Sequence, residues 1–477
     1  MRTLLWLLLC APVLAFAGMG EDEARHLLLR TGWAATPQQV AATARLTRAE
    51  AVDRLLAGTR REATTPLPAE LQTFEPPPRR RELSEDERRA FQRDQVRLGL
   101  DMRAWWFAEM LATDSPLSEK MTLFWHNHFV SSQQKVKFPA LLVEQNRLLR
   151  QHALGNFGTL LHAIARDPAM VLYLDSAQNR RSAPNENFAR ELMELFTLGE
   201  GHYGERDIKE AARAFTGWSV DRDTGAFRFY RFQHDDGQKT VLGQSGALDG
   251  DDVLDILLAQ PATAEFLTRK LWREFISPEP DAAEVARLAQ VLRQSRYQIQ
   301  PWLRAMLLSP AFWAPAHRGV LVKSPVEFLL GLVKTLDVAG VDPRVLAAAS
   351  RQLGQDLFNP PNVKGWPGGE AWINATTLLT RKQMVERLFR ADEGGRPMAQ
   401  FAQGREARME ARRSRATQAF SVDVDALLDG LGHDEARSRV RFATLTLAVP
   451  PVEGAPAGAD RPSFLQALMR DAAFQVK

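Results

Sequence analysis

Two histidines, a glutamate and a His-Asp pair carry most of the chemistry this chain could do. The first group lies in Met121-Thr122-Leu123-Phe124-Trp125-His126-Asn127-His128-Phe129, and the second in Pro184 to Gly199, around Asn187 and Glu191. Read as a helix, the first segment places Met121, Phe124, Trp125, His128 and Phe129 on one apolar face. Two residues are about 200° apart on a helix, so His126 faces elsewhere and the two histidines cannot chelate one ion. In the second segment Phe188, Leu192, Leu195 and Phe196 form the stripe, and Glu191 falls inside it. Desolvating an ionised group is costly, so His128 and Glu191 must find a partner or a proton. The plainer alternatives are a core histidine bonded to a backbone carbonyl and a glutamate paired with a buried arginine. Asn187, one turn before Glu191, is placed to orient it. Glu186, Arg190 and Glu194 follow an i, i+4, i+8 path that reads as a surface ion-pair ladder.

A third constellation is Gln233-His234-Asp235-Asp236-Gly237-Gln238-Lys239. Alternating residues from Phe227 to Phe232 read as a strand, and Asp236-Gly237 reads as its hairpin turn, so His234 and Asp235 stand at a loop tip. Folded back over the two helices, they would join His128 and Glu191. His128, Glu191 and His234 would then bind a divalent metal that activates water, with Asp235 beside them. Without a metal, Glu191 in its apolar stripe would hold a raised pKa and act as a general acid. A fourth stretch, Leu357 to Gly369 followed by Trp372, is rich in Pro, Gly and Trp; Trp366 and Trp372, with Asn187 and Lys239, are the expected ligand-binding residues. The stretch would equally serve to cover the core.

The elements that position these groups are mostly helical. Ser84 with Glu87 is a capping box that opens a long helix to about Leu111, and Ser115-Pro116, Pro261, Pro301 and Pro325 mark other helix starts. The expected fold is mainly α, a large multi-helix domain over residues 18–392 with one β-hairpin excursion near 227–243. Residues 393–417, with Gly394-Gly395 and a run of Arg and Glu, read as an exposed linker or helix, and 418–477 as a helical segment packing on the core. Arg79-Arg80-Arg81 after three prolines reads as a solvated loop.

The 477 residues carry a net charge of only +3, which argues against a dedicated nucleic-acid binder. Arg2, the apolar run Leu4–Leu14 and Ala15-Phe16-Ala17 have the order of a signal peptide, so residues 1–17 are expected to be removed and the protein to be periplasmic or secreted. Cys10 is the only cysteine and lies in that leader, which excludes disulfides and thiol chemistry from the mature chain. No later stretch is long and apolar enough to span a membrane. Walker, G-x-S-x-G, H-E-x-x-H and dinucleotide signatures are absent.

Several of these stretches together resemble one bacterial family, the domain of unknown function 1800 family. They are Phe124 to Phe129, Asn185 to Gly199, Ala211 to Trp218, His234-Asp235 with Gly237, Lys239 and Leu242-Gly243, and Pro360 to Trp366 with Trp372. The resemblance implies an exported bacterial protein, encoded in many cases beside a member of the sulfatase and alkaline-phosphatase superfamily, and brings no established activity. Two readings follow. One is a periplasmic or secreted hydrolytic enzyme with a His/Glu/Asp site. The other is a non-catalytic partner or assembly factor for such a co-exported protein or for a surface polymer.

Overall fold

The protein is described here from a computed structural model that covers residues 18–76, 84–392 and 422–477. The expected leader over 1–17, the Arg79–Arg81 run and the 393–417 linker lie outside the described residues. Twenty-two helices can be followed among the described residues, in chain order. The N-terminal ones are α1 (Glu21–Thr31), α2 (Pro37–Thr43), α3 (Arg48–Ala57), α4 (Glu85–Ala112), α5 (Pro116–His128), α6 (Gln133–Val136), α7 (Pro139–His152), α8 (Phe157–Ala165) and α9 (Pro168–Tyr173). Then come α10 (Asn187–Glu191), which runs directly into a π-helical turn over Leu192–Thr197, and α11 (Glu205–Ala214). After the strands follow α12 (Gly250–Ala259), α13 (Pro261–Phe275), α14 (Ala282–Gln294), α15 (Ile299–Leu307), α16 (Pro310–Trp313), α17 (Pro325–Thr335), α18 (Pro343–Gln352) and α19 (Ala375–Asp392). The C-terminal helices are α20 (Val424–Asp429), α21 (Glu435–Thr446) and α22 (Arg461–Arg470).

The chain is mainly α, and local chemistry accounts for where its helices start. Ser84 accepts from the Glu87 amide while Glu87 bonds back to the Ser84 amide, so the capping box opens α4 as the sequence leads one to expect. Pro261 and Pro325 occupy the first turns of α13 and α17, where their missing N–H costs nothing. Ser115 departs from expectation: its hydroxyl bonds Ser118 at 2.8 Å instead of capping α5.

The β structure differs from the single hairpin expected. Among the described residues two separate two-stranded antiparallel sheets form, β1 (Trp218–Val220) with β2 (Phe227–Phe229) and β3 (Lys239–Val241) with β4 (Gln244–Gly246). The second turn is Leu242-Gly243, both at positive φ (47° and 80°), as a two-residue hairpin requires. Asp236-Gly237 makes no hairpin. Its segment joins the two sheets, because Lys239 and Asp235 bind the local backbone there and hold it in an irregular path.

One contiguous cluster of buried apolar side chains runs from Leu27 to Phe474 and takes in residues from every region of the described chain. Charged pairs are sealed inside it. Glu119 and Arg150, each 1 % exposed, pair at 2.5 and 2.9 Å, and the Trp106 indole donates to the same carboxylate at 2.7 Å. This knot fixes α4, α5 and α7 against one another and so sets the direction in which α5 presents its C-terminal turn. Lys120, Glu327 and Lys477 form a second buried ion cluster between α5, α17 and the end of the chain.

Candidate functional site

The last turn of α5 is a junction with two faces. On one face the His126 ring stands edge-on to Trp106 and Phe358, 5.2 and 5.1 Å between centroids, and near Trp366 at 5.8 Å. Its Nε2 accepts from the Phe358 amide at 3.2 Å. Asn127 grips the Trp366 backbone, accepting its N–H at 2.7 Å and donating to its carbonyl at 3.3 Å. Gly365 is at φ 82°, and a Cβ there would run into the Asn127 side chain. The Pro/Gly/Trp loop is therefore pinned to α5. Trp366 and Trp372, 4 % and 7 % exposed, are covers of the core and offer no ligand a face.

On the other face lies His128, 2 % exposed. Its Nε2–H donates to the Phe196 carbonyl at 3.1 Å, and its Nδ1 accepts from the Lys270 ammonium at 2.8 Å. Both ring nitrogens are occupied, which fixes the neutral tautomer. Burial, with Lys270 beside it, holds the imidazole well below the usual histidine range, and burial with Arg103 holds His126 down to about 3. The two histidines face apart, as their spacing demands. Lys270 has no carboxylate partner among the described residues, and burial brings its ammonium down to about 8.

Glu191 ends α10. Asn185 accepts from the Asn187 amide at 2.9 Å in the turn before this helix, whose N-cap position is Glu186, while Asn187 donates its own side chain to the Leu174 carbonyl at 3.2 Å and so serves the chain before it, not Glu191. The π turn then widens the helix. Leu198 N bonds to Met193 O at 2.9 Å, five residues back, and the Phe196 carbonyl is left for His128. The same widening breaks the expected ion-pair ladder. Arg190 keeps Glu186 (3.0 Å) but turns to Glu205 (2.8 Å), and Glu194 swings to Lys364 (3.6 Å) and Tyr203 (3.4 Å). Glu191 is half-buried and makes no hydrogen bond or ion pair among the described residues. Burial, followed by the Glu194 charge, raises its carboxyl above the ordinary value, against the opposing pull of Lys364 and Arg190. The expectation of a glutamate paired with a buried arginine is not met.

His234, Asp235 and Lys239 serve elsewhere. His234 Nδ1–H donates to the Thr216 carbonyl at 2.9 Å, and its ring packs on Phe229. Asp235 takes both arms of Arg213, at 2.7 and 3.2 Å, and its amide donates to the Thr216 hydroxyl. Lys239, 1 % exposed, directs its ammonium at the carbonyls of Asp235, Gly237 and Leu248. Asp235 fastens the link between the sheets to α11, His234 ties it to Thr216 just beyond that helix, and Lys239 braces the link internally and to Leu248 with no donor left for a ligand. No hydrogen bond or ion pair joins them to His128 or Glu191. Among the described residues no group of three or more His, Cys, Asp or Glu side chains could hold a metal ion. The three-ligand site expected from His128, Glu191 and His234 is thus not assembled, because each histidine is already bonded within its own neighbourhood.

A surface cavity of about 480 Å³ opens between α6, the end of α9 and the start of the pinned loop, lined by Ser132, Gln134, Lys135, Lys137, Tyr173, Pro360 and Pro361. Burial, followed by the Glu191 charge, raises the Tyr173 phenol above its ordinary value. Tyr173, Lys270 and Lys364 escaped the sequence reading, since nothing in their local patterns marks what they meet across the fold.

The sequence profile of a family described as Protein of unknown function (DUF1800) matches residues 26–476. No curated protein and no solved structure matches significantly.

Proposed function

The chain belongs to this DUF1800 family, which assigns no reaction, and from that starting point we propose that it is an exported enzyme of metal-independent acid–base hydrolysis with Glu191 as the proton donor. One observation carries the reading: a half-buried carboxyl, without a hydrogen-bond or ion-pair partner among the described residues and raised in pKa, stands one turn from a second carboxyl that does have partners. Two carboxyls in unlike environments are what divided acid and base roles need. In the proposed step Glu191 gives its proton to the leaving oxygen as the C–O bond breaks. Glu194, held by Tyr203 and Lys364, takes a proton from the attacking water. General acid–base assistance of this kind is worth roughly 10²–10⁴-fold. Export is supported by Arg2, Leu4–Leu14 and Ala15-Phe16-Ala17; among the described residues no helix is long and apolar enough to cross a membrane.

The test is turnover of a panel of nitrophenyl esters and glycosides by the purified protein and by Glu191→Gln and Glu194→Gln. Loss of about two orders of magnitude in both variants is expected. A Glu191→Gln protein as active as the wild type would remove Glu191 from the chemistry.

A second reading keeps a specific support. His128, His234, Asp235 and Lys239 all serve internal bonds, which is the behaviour of polar groups that specify packing in a non-catalytic partner of a co-exported sulfatase/alkaline-phosphatase-superfamily protein or of a surface polymer. Co-purification with the product of a neighbouring gene, undiminished in Glu191→Gln and unaccompanied by turnover, would favour it.

A further inference from the structure

The polar groups that face the cavity beside α6 are of one kind. The Tyr173 ring is largely covered, while its hydroxyl, which has no hydrogen-bond partner among the described residues, lines the cavity. A hydroxyl left free at a cavity wall can donate to what enters the cavity. Among the described residues the exposed Lys137 ammonium has no ion pair, and the Gln134 side chain is likewise unbonded. Lys135 is shared: it pairs with Asp175 at 2.7 Å and lies over the Tyr173 ring. Ser132 is already used, donating to Asn359 and accepting from the Gln134 amide. The far rim is Pro360-Pro361, which has no backbone N–H to offer and holds a fixed shape. What remains free is an ammonium, a phenolic O–H and a carboxamide N–H₂, all donors, around a space of the size that small ligands occupy.

We propose that this cavity is an anion-binding subsite, in which Lys137, Tyr173 and Gln134 receive the carboxylate, phosphate or sulfate group of an acidic ligand. The proposal rests on the hydrolase reading only for its use, in which an anion held here would anchor an acidic substrate of Glu191, whose charge the Tyr173 phenol feels. The Tyr173 phenol, raised by burial and by Glu191, keeps its proton at neutral pH and stays a donor. Asp175 faces the same region but is neutralised by Lys135. Charge-assisted bonds of this type are the stronger class of hydrogen bond, so a few of them suffice for recognition.

The experiment is calorimetric titration of the full chain with inorganic phosphate, sulfate, galacturonate and, as a neutral control, glucose. Wild type should bind at least one anion and not glucose. Lys137→Ala should weaken that binding about tenfold and Tyr173→Phe several-fold, while the exposed control Lys209→Ala leaves it unchanged. Circular dichroism melting of each variant confirms that it folds. Tighter binding of galacturonate than of the inorganic ions identifies an acidic saccharide as the source; the reverse order identifies a free oxyanion or a simple ester. Equal binding of glucose and galacturonate overturns the proposal, and so do Lys137→Ala and Tyr173→Phe proteins that bind like the wild type. Glu191→Gln separates the two readings. It should keep the anion while losing turnover. Anion binding without any turnover would sink the hydrolase and leave the subsite, and turnover without anion binding would do the opposite.

Discussion

The Nε2 of His128 lies 3.1 Å from the carbonyl oxygen of Phe196, so the last residue of α5 closes the π turn that follows Glu191. A π turn leaves carbonyls that the next turn does not reach, and a buried one needs another donor. His128 supplies it, and Lys270 completes the ring on the other nitrogen.

His128→Asn should therefore behave as a structural lesion. It leaves the Phe196 carbonyl and the Lys270 ammonium without their partner, at a cost of about 1–3 kcal/mol. Urea unfolding measures the loss, and hydrogen exchange should quicken at the Leu198 and Gly199 amides, which close on Met193. A variant as stable as the wild type would show that the bond does not hold the turn.

Lys270 should react as a low-pKa amine. It is partly exposed, has no carboxylate partner among the described residues and is brought down to about 8 by burial. Trinitrobenzenesulfonate labelling followed by peptide mapping should give Lys270 a rate midpoint near pH 8. Labelling that rises only toward the ordinary lysine range, about 10.4, would contradict the burial argument.

Acid should destabilise the fold through His26. This side chain is 5 % exposed, donates Nε2–H to the Phe312 carbonyl at 2.7 Å, and is held down to about 3 by burial and by Arg30. Between its folded value and about 6.5 the unfolded chain binds the extra proton, so this group makes stability rise with pH across that window. Its contribution is full above about 6.5 and falls by about 1.4 kcal/mol for each unit below it. Unfolding free energies at pH 4.5, 5.5 and 6.5 for wild type and His26→Gln test this. The variant should show the shallower slope, and parallel slopes would exclude His26 as the source.

What could be read in the sequence was what depends on neighbours a turn away. Ser84 and Glu87 announce α4, and the spacing of His126 and His128 already separates their faces. The raised carboxyl of Glu191 follows from its place in an apolar stripe. The π turn was hidden, because widening a helix by one residue leaves no mark in composition, and it moved Glu194 away from Arg190. The hairpin turn was misplaced because Leu242 takes a positive φ that strand pairing imposes and its residue type disfavours. His234 and Asp235 looked reactive side by side, but Arg213, 22 residues before Asp235, claims the carboxylate. Lys270 meets His128 across 142 residues, a distance over which no local pattern speaks.

The central claim is that Glu191 is a protonatable acid standing free beside Glu194, and its titration tests this most directly. Carbon-13 NMR of labelled glutamate carboxyls, assigned by comparison with Glu191→Gln, gives its midpoint. The account predicts a value clearly above the ordinary glutamate value of about 4.3, falling when Glu194→Gln removes the neighbouring charge. A midpoint at or below that ordinary value, or one indifferent to Glu194, would contradict it.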